Sequence, residues 1–283
     1  MKNIRVIPRL DIKGPNLVKG IHLEGLRVLG KPEVFARRYY EEGADELLYI
    51  DVVASLYNRN SLLPIIEKTA REIFIPLTVG GGLRTIDDIR AVLRAGADKV
   101  AINTAAIHNP SFITEAAKSF GSSTIVLSIE AIQQSDGRYL VYTDNGREHT
   151  GIDAFEWAVR AAELGAGEIL LTSIDREGTG KGYDCPLTEK IATAVSIPVI
   201  ACGGAGKVEH IAEVVTKGKA DAVSFASVVH YEMLKRNFSS DSYIEEGNTE
   251  YLKSGKQSLH IVPTSIPQIK DYFFRHEISC RMA

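Results

Sequence analysis

The chain has 283 residues and a mass of 31.0 kDa, and its 45% hydrophobic and 24% charged residues can build a full core, which excludes a disordered, collagenous or disulfide-built protein. A formal net charge of −3 argues against a large nucleic-acid footprint. Cys185, Cys202 and Cys280 lack C-x-x-C spacing, Arg5, Arg9 and Asp11 interrupt the opening segment, and no run reaches ~18 apolar residues, so a reduced, cytoplasmic protein with no zinc site, signal segment or membrane span is expected.

In chain order, Ile- and Val-rich runs predict strands at 4–10, 46–51, 75–79, 98–102, 124–130, 168–174, 197–201 and 221–225. Helical periods fall between them at 32–42, 60–72, 85–95, 110–119, 152–164, 186–194 and 207–217. Alternating strands and helices predict a parallel sheet with crossover helices, and eight such units is the count of a closed (β/α)₈ barrel. The competing arrangement is an open doubly wound sheet. No G-x-G-x-x-G follows the first strand, which counts against it. Two stretches break the pattern: 136–147 reads as a hairpin after the fifth strand, and 236–262 as an inserted loop before a last helix near 265–274.

The chain also repeats itself. Gly43-Ala44-Asp45-Glu46-Leu47 reads against Gly165-Ala166-Gly167-Glu168-Ile169, Ile75-Pro76 against Ile197-Pro198, and Gly81-Gly82 against Gly203-Gly204, all at an offset of 122. Ala97-Asp98-Lys99-Val100 reads against Ala220-Asp221-Ala222-Val223 one residue further on. Blocks at one offset predict two four-unit half-barrels, about 1–120 and 121–283, closed into one domain over 1–283.

In such a barrel the chemistry sits just after each strand. Two glycine clusters, Gly80-Gly81-Gly82 and Gly203-Gly204, lie there, with Asn103-Thr104 and Ser227 beside them. Glycine admits an anion close to the backbone, so two equivalent clusters predict a ligand phosphorylated at both ends. Between them, Asp11 ends the first strand and Glu130 the fifth, a pair suited to general acid–base work. Alternation puts Arg5, Ile7, Arg9 and Asp11 on one face of the first strand. Asp51 and Asp175 are weaker candidates, and Lys19 follows the first strand as a flexible cation within a loop. Arg5, Glu46, Lys99 and Glu168 lie at strand starts, where alternating charges can close a ring around the bottom. No pattern for a metal or redox cofactor is present.

These segments carry a resemblance: LDIKG at 10–14, LVKG at 17–20, DELLYIDVVAS at 45–55, TVGGG at 78–82, GADKVAINTAA at 96–106, GAGEILLTSIDREGT at 165–179 and GGAGK at 203–207. Over residues 3–232 and 264–277 the chain resembles the cyclase-subunit family of imidazole glycerol phosphate synthase. The resemblance implies a (β/α)₈ barrel that takes ammonia from a glutaminase subunit docked as a heterodimer on the N-terminal face. It further implies conversion of a doubly phosphorylated ribulosyl nucleotide to imidazole glycerol phosphate and an aminoimidazole ribotide, in histidine biosynthesis, without cofactor. Asp11 falls on the family's first catalytic aspartate and Lys19 on its mobile-loop lysine. Arg5, Glu46, Lys99 and Glu168 fall on its ammonia gate. Gly82, Asn103 and Thr104 match one phosphate site, and Gly178, Gly204 and Ser227 the other.

Three positions depart from the family: Glu130 replaces its second catalytic aspartate, Glu177 its phosphate-site aspartate, and Arg9 a cysteine. A buried cation requires an anion, so Arg9 is expected to face inward and either pair with Glu130 or bind an acidic group of the ligand, making it a specificity candidate. The departures keep a second reading open: ammonia-dependent amidation of a nucleotide-linked sugar for surface polysaccharide. A ribonucleotide isomerase on the same fold has no use for the gate. A non-catalytic barrel that activates the glutaminase would bind its partner without turnover.

Overall fold

The computed structural model describes residues 2–54, 62–236 and 260–282. Eight parallel strands form the barrel: β1 (Arg5–Lys13), β4 (Leu47–Asp51), β5 (Leu77–Gly80), β6 (Lys99–Ile102), β7 (Ile125–Gln133), β10 (Glu168–Ser173), β11 (Val199–Cys202) and β12 (Ala222–Phe225). Each pairs with the next in that order, and β12 returns to β1 through Arg5–Ala222 and Pro8–Phe225, which closes the sheet. All eight strands lie where the apolar runs placed them.

Helices α1 (Pro32–Glu41), α2 (Leu63–Ala70), α3 (Ile86–Arg94), α4 (Thr104–His108), α5 (Ser111–Phe120), α6 (Ala154–Glu163), α7 (Cys185–Ala192), α8 (Val208–Thr216), α9 (Ser227–Arg236) and α10 (Ile266–Arg275) complete the described chain. Several starts are fixed locally. Thr85 and Asp88 form a reciprocal cap on α3, Ser265 and Gln268 another on α10, and the Asp153 carboxylate caps α6. The helix face of the sheet packs as one large core with Val6, Leu10, Leu47, Tyr49, Val79, Ile102, Leu127, Leu171 and Phe225 pointing outward. A smaller cluster fills the bore: Ile7, Leu48, Ile50, Ala101, Val126, Leu170, Ile200 and Ala222. Period-two alternation along the strands separates the two sets.

Two antiparallel excursions rise from the mouth. After β7, strands β8 (Tyr139–Thr143) and β9 (Glu148–Asp153) form the expected hairpin, which reaches further along the chain than 136–147. After β1, strands β2 (Asn16–Ile21) and β3 (Glu24–Gly30) form a second one. That segment therefore corrects the placing of Lys19 in a loop, since it lies on β2. The reversal is at His22 and Leu23, both at positive φ (52° and 63°), where turn sequences usually carry Asn or Gly. Their counterparts at the 122-residue offset, Asp144 and Asn145, have φ of 52° and 59°. The Asn145 side-chain amide donates to the Leu23 carbonyl at 3.1 Å, so the tips of the two hairpins meet above the bore. The expected insertion at 236–262 falls mainly on 237–259, outside the described residues.

The twofold repeat has a steric basis at the glycine clusters. Gly81 has φ of 98°, and a Cβ there would stand 2.3 Å from the Asp51 carbonyl oxygen. Its counterpart Gly203 has φ of 91°, and a Cβ would stand 2.7 Å from the carbonyl oxygen of Ser173, the residue 122 beyond Asp51. Each turn is pressed against the end of the preceding strand, and only glycine fits. Gly81→Ala or Gly203→Ala is expected to lower stability by about 2 kcal/mol or more, read as the shift in urea midpoint. Unchanged midpoints would contradict this account of the turns.

Candidate active site

From bottom to top, the inward-facing residues of the strands form bands. On β1 they run Arg5, Ile7, Arg9, Asp11; on β4, Glu46, Leu48, Ile50; on β6, Lys99, Ala101; on β10, Glu168, Leu170, Thr172. Charge comes first, an apolar belt second, and polar groups crowd the top.

The bottom band is a closed ring of ion pairs. Arg5 Nη1 lies 2.9 Å from Glu46 Oε2 and 3.1 Å from Glu168 Oε1. Lys99 Nζ lies 3.0 Å from Glu46 and 3.1 Å from Glu168. Each cation thus bridges both glutamates, and Thr78 Oγ1 donates to the remaining Glu46 oxygen at 2.5 Å. Glu46 is only 2% exposed, whereas Arg5 is 27% exposed. Alternating charges at or just before the starts of β1, β4, β6 and β10 close this ring as the sequence predicts.

The top band holds Arg9, Asp11, Glu130 and Thr172. Arg9 points into the bore and is 2% exposed. It does not pair with Glu130. Its Nε donates to Asp11 Oδ1 at 2.7 Å, and Nη1 reaches Thr172 Oγ1 at 3.3 Å and Cys202 Sγ at 3.6 Å. Arg9 and Asp11 stand two residues apart on one strand face, a step of about 6.6 Å that a long side chain spans, while Glu130 stands on β7 across the bore. Burial opposes the Arg9 charge, but Asp11, Cys202 and Glu177 outweigh it and hold the guanidinium pKa well above its usual value. Burial likewise pushes the Cys202 thiol up, against the pull of Arg9.

Glu130 is 7% exposed, and its Oε2 has no hydrogen-bond partner among the described residues. Burial pushes its pKa up to about 7. Arg9 and the Gly146 amide pull it down, and the charges of Asp11 and Asp144 push it up. A carboxyl poised near neutrality can give or take a proton. Because the folded value lies above the unfolded one, the protein binds this proton more tightly than the unfolded chain does. Its stabilising contribution is full below pH about 4.5 and is lost as the pH rises through about 7. Glu130→Gln is therefore expected to be more stable than the parent above pH 7, by on the order of 2–3 kcal/mol, with the difference closing toward pH 5. Urea midpoints at pH 5 and 8 measure it; a pH-independent difference would contradict it.

Two cavities flank this pair. The first holds about 490 Å³ and is lined by Asp51, Gly81, Gly82, Asn103, Thr104, Ser128 and Glu130 among others. Asn103 donates to the Tyr142 carbonyl at 3.2 Å, its side-chain oxygen has no partner among the described residues, and Thr104 opens α4. The second, of about 10 Å³, is lined by Arg9, Lys19, Glu177, Gly178, Gly203, Gly204 and Ser227. Gly204 has φ of 109°, where a Cβ would meet the Gly182 carbonyl at 2.2 Å, and Ser227 opens the ten-residue helix α9. The residues named from sequence thus sort into two groups, one on each side of the bore.

Lys19 departs from expectation. It lies on β2, 3% exposed, and its ammonium pairs closely with Glu177 and donates to the Gly20 carbonyl at 3.1 Å. It is a fixed cation in a strand because the β2–β3 hairpin lies down on the 174–178 loop. The His22 amide donates to the Glu177 carbonyl at 2.9 Å and its ring contacts the Ile174 carbonyl at 2.8 Å. Asp175 accepts from the Gln133 amide at 2.7 Å and lines neither cavity, whereas Asp51 lines the first and accepts from the Val53 amide. Thr172 and Cys202, which hold Arg9, had no sequence signal beyond alternation. Among the described residues no cluster of three His, Cys, Asp or Glu side chains could hold a metal, the three cysteines are free, and no helix is long and apolar enough to cross a membrane.

A closed (β/α)₈ barrel with a charged ring below, a buried carboxylate pair above and two glycine-turn cavities beside it is the class of protein that fold and site define. The chain belongs to the histidine biosynthesis protein family, whose pattern matches residues 5–235. It is 61% identical over 210 residues to imidazole glycerol phosphate synthase subunit HisF of Legionella pneumophila, covering 74% of this chain and 99% of that protein. It is 50% identical over 227 residues to the subunit of the same name from Alkaliphilus metalliredigens strain QYMF, covering 80% and 90% respectively.

Proposed function

We propose that this chain is the cyclase subunit of imidazole glycerol phosphate synthase, acting in histidine biosynthesis. It uses ammonia delivered through the barrel by a glutaminase subunit docked on the face that carries the charged ring. The substrate is a doubly phosphorylated aminoimidazole carboxamide ribulosyl nucleotide, and the products are imidazole glycerol phosphate and aminoimidazole carboxamide ribotide. One observation carries the reading: two glycine turns of matched backbone geometry, each lining a cavity, lie on opposite sides of the bore whose upper end holds Asp11 and Glu130. That arrangement seats a ligand by its two phosphorylated ends and presents its middle to two carboxyl groups. The extent and identity of the match to relatives bearing this name support it.

In this reading Gly82, Asn103 and Thr104 hold one phosphate, while Gly178, Gly204 and Ser227 hold the other, with Lys19 and Glu177 closing over it. Ammonia that adds to a carbonyl must lose two protons to become an imine, and the carbonyl oxygen must gain two before it leaves as water. Asp11 and Glu130 divide that work, Asp11 oriented by its bond from Arg9 and Glu130 exchanging its proton near neutral pH. The apolar belt of Ile7, Leu48, Ala101 and Leu170 keeps charged species out of the bore and lets neutral ammonia pass. The ring of Arg5, Glu46, Lys99 and Glu168 is the gate beneath it.

Arg9 on Asp11 favours one other reading, amidation of a nucleotide-linked sugar with the same ammonia, because it changes the charge beside the reacting group. Purified protein given ammonium salt and the ribulosyl nucleotide at alkaline pH separates the two. Release of aminoimidazole carboxamide ribotide supports the cyclase. A folded, phosphate-binding protein that releases none would move the assignment to the sugar acceptor.

A further inference from the structure

The guanidinium of Arg9 is only partly used by the bonds that hold it. It extends from β1 across the bore to Thr172 on β10 and Cys202 on β11, the two strands whose following loops carry Gly178 and Gly203-Gly204. It therefore lies under the second cavity, which it lines, and is directed away from the first, which it does not. Its Nη2 is buried and has no hydrogen-bond partner among the described residues. A buried cationic donor left unpaired is costly, and a ligand oxyanion removes that cost. The other cation of this cavity, Lys19, is already engaged by Glu177. An entering anion must compete with Glu177 for Lys19, but finds Arg9 Nη2 uncommitted.

We propose that Arg9 is an anion-binding and positioning residue of the second cavity: Nη2 donates to a phosphoryl oxygen seated between Gly203-Gly204 and Ser227, while Nε keeps its bond to Asp11. One planar group then ties the phosphorylated end of the ligand to the acid–base carboxylate. The planar fork is what allows both bonds at once; a lysine at this position would present one point charge and must choose. The proposal rests on the reading of this cavity as a phosphate seat. It adds a consequence of its own: occupancy of the cavity draws on the charge that neutralises Asp11, so anion binding and the Asp11 charge oppose each other.

The test uses the full chain and inorganic phosphate, read by titration calorimetry, with crystals soaked in phosphate to assign each site. In the parent, phosphate occupies the second cavity within hydrogen-bond distance of Arg9 Nη2. Asp11→Asn removes the competing carboxylate charge and tightens that site. Arg9→Met combined with Asp11→Asn removes the pair without stranding a buried charge, and weakens the site by about 10- to 100-fold, leaving the first cavity unchanged. Arg9→Lys, which keeps the charge, weakens it by about tenfold. Parent affinity at the second cavity in the double variant would overturn the proposal, as would phosphate bound there away from Arg9. Because the readout is phosphate and not product, a protein that binds through Arg9 but makes no imidazole product would refute the cyclase reading and leave this one standing.

Discussion

Asp11→Asn is expected to lower ammonia-dependent turnover by on the order of 10³-fold without abolishing phosphate binding. Asparagine keeps the size of the side chain and an acceptor oxygen for Arg9 Nε but can no longer take a proton. Asp11 is 2% exposed, so no bulk solvent replaces it as base. The same change strands the Arg9 cation in the bore, with a stability cost of about 3 kcal/mol. The variant must therefore be compared with Arg9→Met/Asp11→Asn, in which neither charge remains. The double variant is expected to be more stable than Asp11→Asn alone and just as inactive. If it regained activity along with stability, Asp11 would be a counter-ion and not a catalytic residue. Turnover and urea midpoint on the same preparations decide between these.

The second large effect is at the other end of the bore. Lys99→Ala removes one of the two cations bridging Glu46 and Glu168 and leaves both glutamates on Arg5 alone. The ring opens on the β6 side, next to the apolar belt, and water and ions gain access to the path. In the complex with its glutaminase, glutamine-dependent turnover is expected to fall about tenfold, equivalent to about 1.4 kcal/mol of barrier. Turnover with ammonium supplied directly at the mouth should change far less, because the reacting groups stand at the other end of the strands. Steady-state rates with the two nitrogen sources measure the ratio. Equal losses would reduce the ring to a structural feature.

What could be read from the residues, and what could not, follows from how each kind of signal arises. The barrel strands were legible because a parallel strand buried on both faces must be apolar almost throughout, and the 122-residue offset marked the two halves. The ring was legible because charges at strand starts, two residues before an apolar inward position, can only converge on the axis. The β2–β3 hairpin was not. Its turn uses His22-Leu23, which adopt the same left-handed backbone as Asp144-Asn145 without the Asn or Asp that normally announces it. Nothing local therefore distinguishes Lys19 from a flexible loop cation, although it is a buried strand residue paired with Glu177. The partner of Arg9 was legible in principle, since Asp11 shares its strand face two residues on. That Glu130 lacks a partner at Oε2 and titrates near 7 depends on burial that the hairpins create, and no local pattern encodes it.

In the proposed reaction, ammonia made from glutamine below the ring reaches a doubly phosphorylated substrate held between the two cavities. Its most direct test is to give the complex glutamine labelled with nitrogen-15 at the side-chain amide, together with the ribulosyl nucleotide and an excess of unlabelled ammonium, and to weigh the product. Imidazole glycerol phosphate carrying the label despite the unlabelled pool is the expected product. Imidazole glycerol phosphate labelled only in proportion to that pool, or none at all, would contradict the proposed reaction.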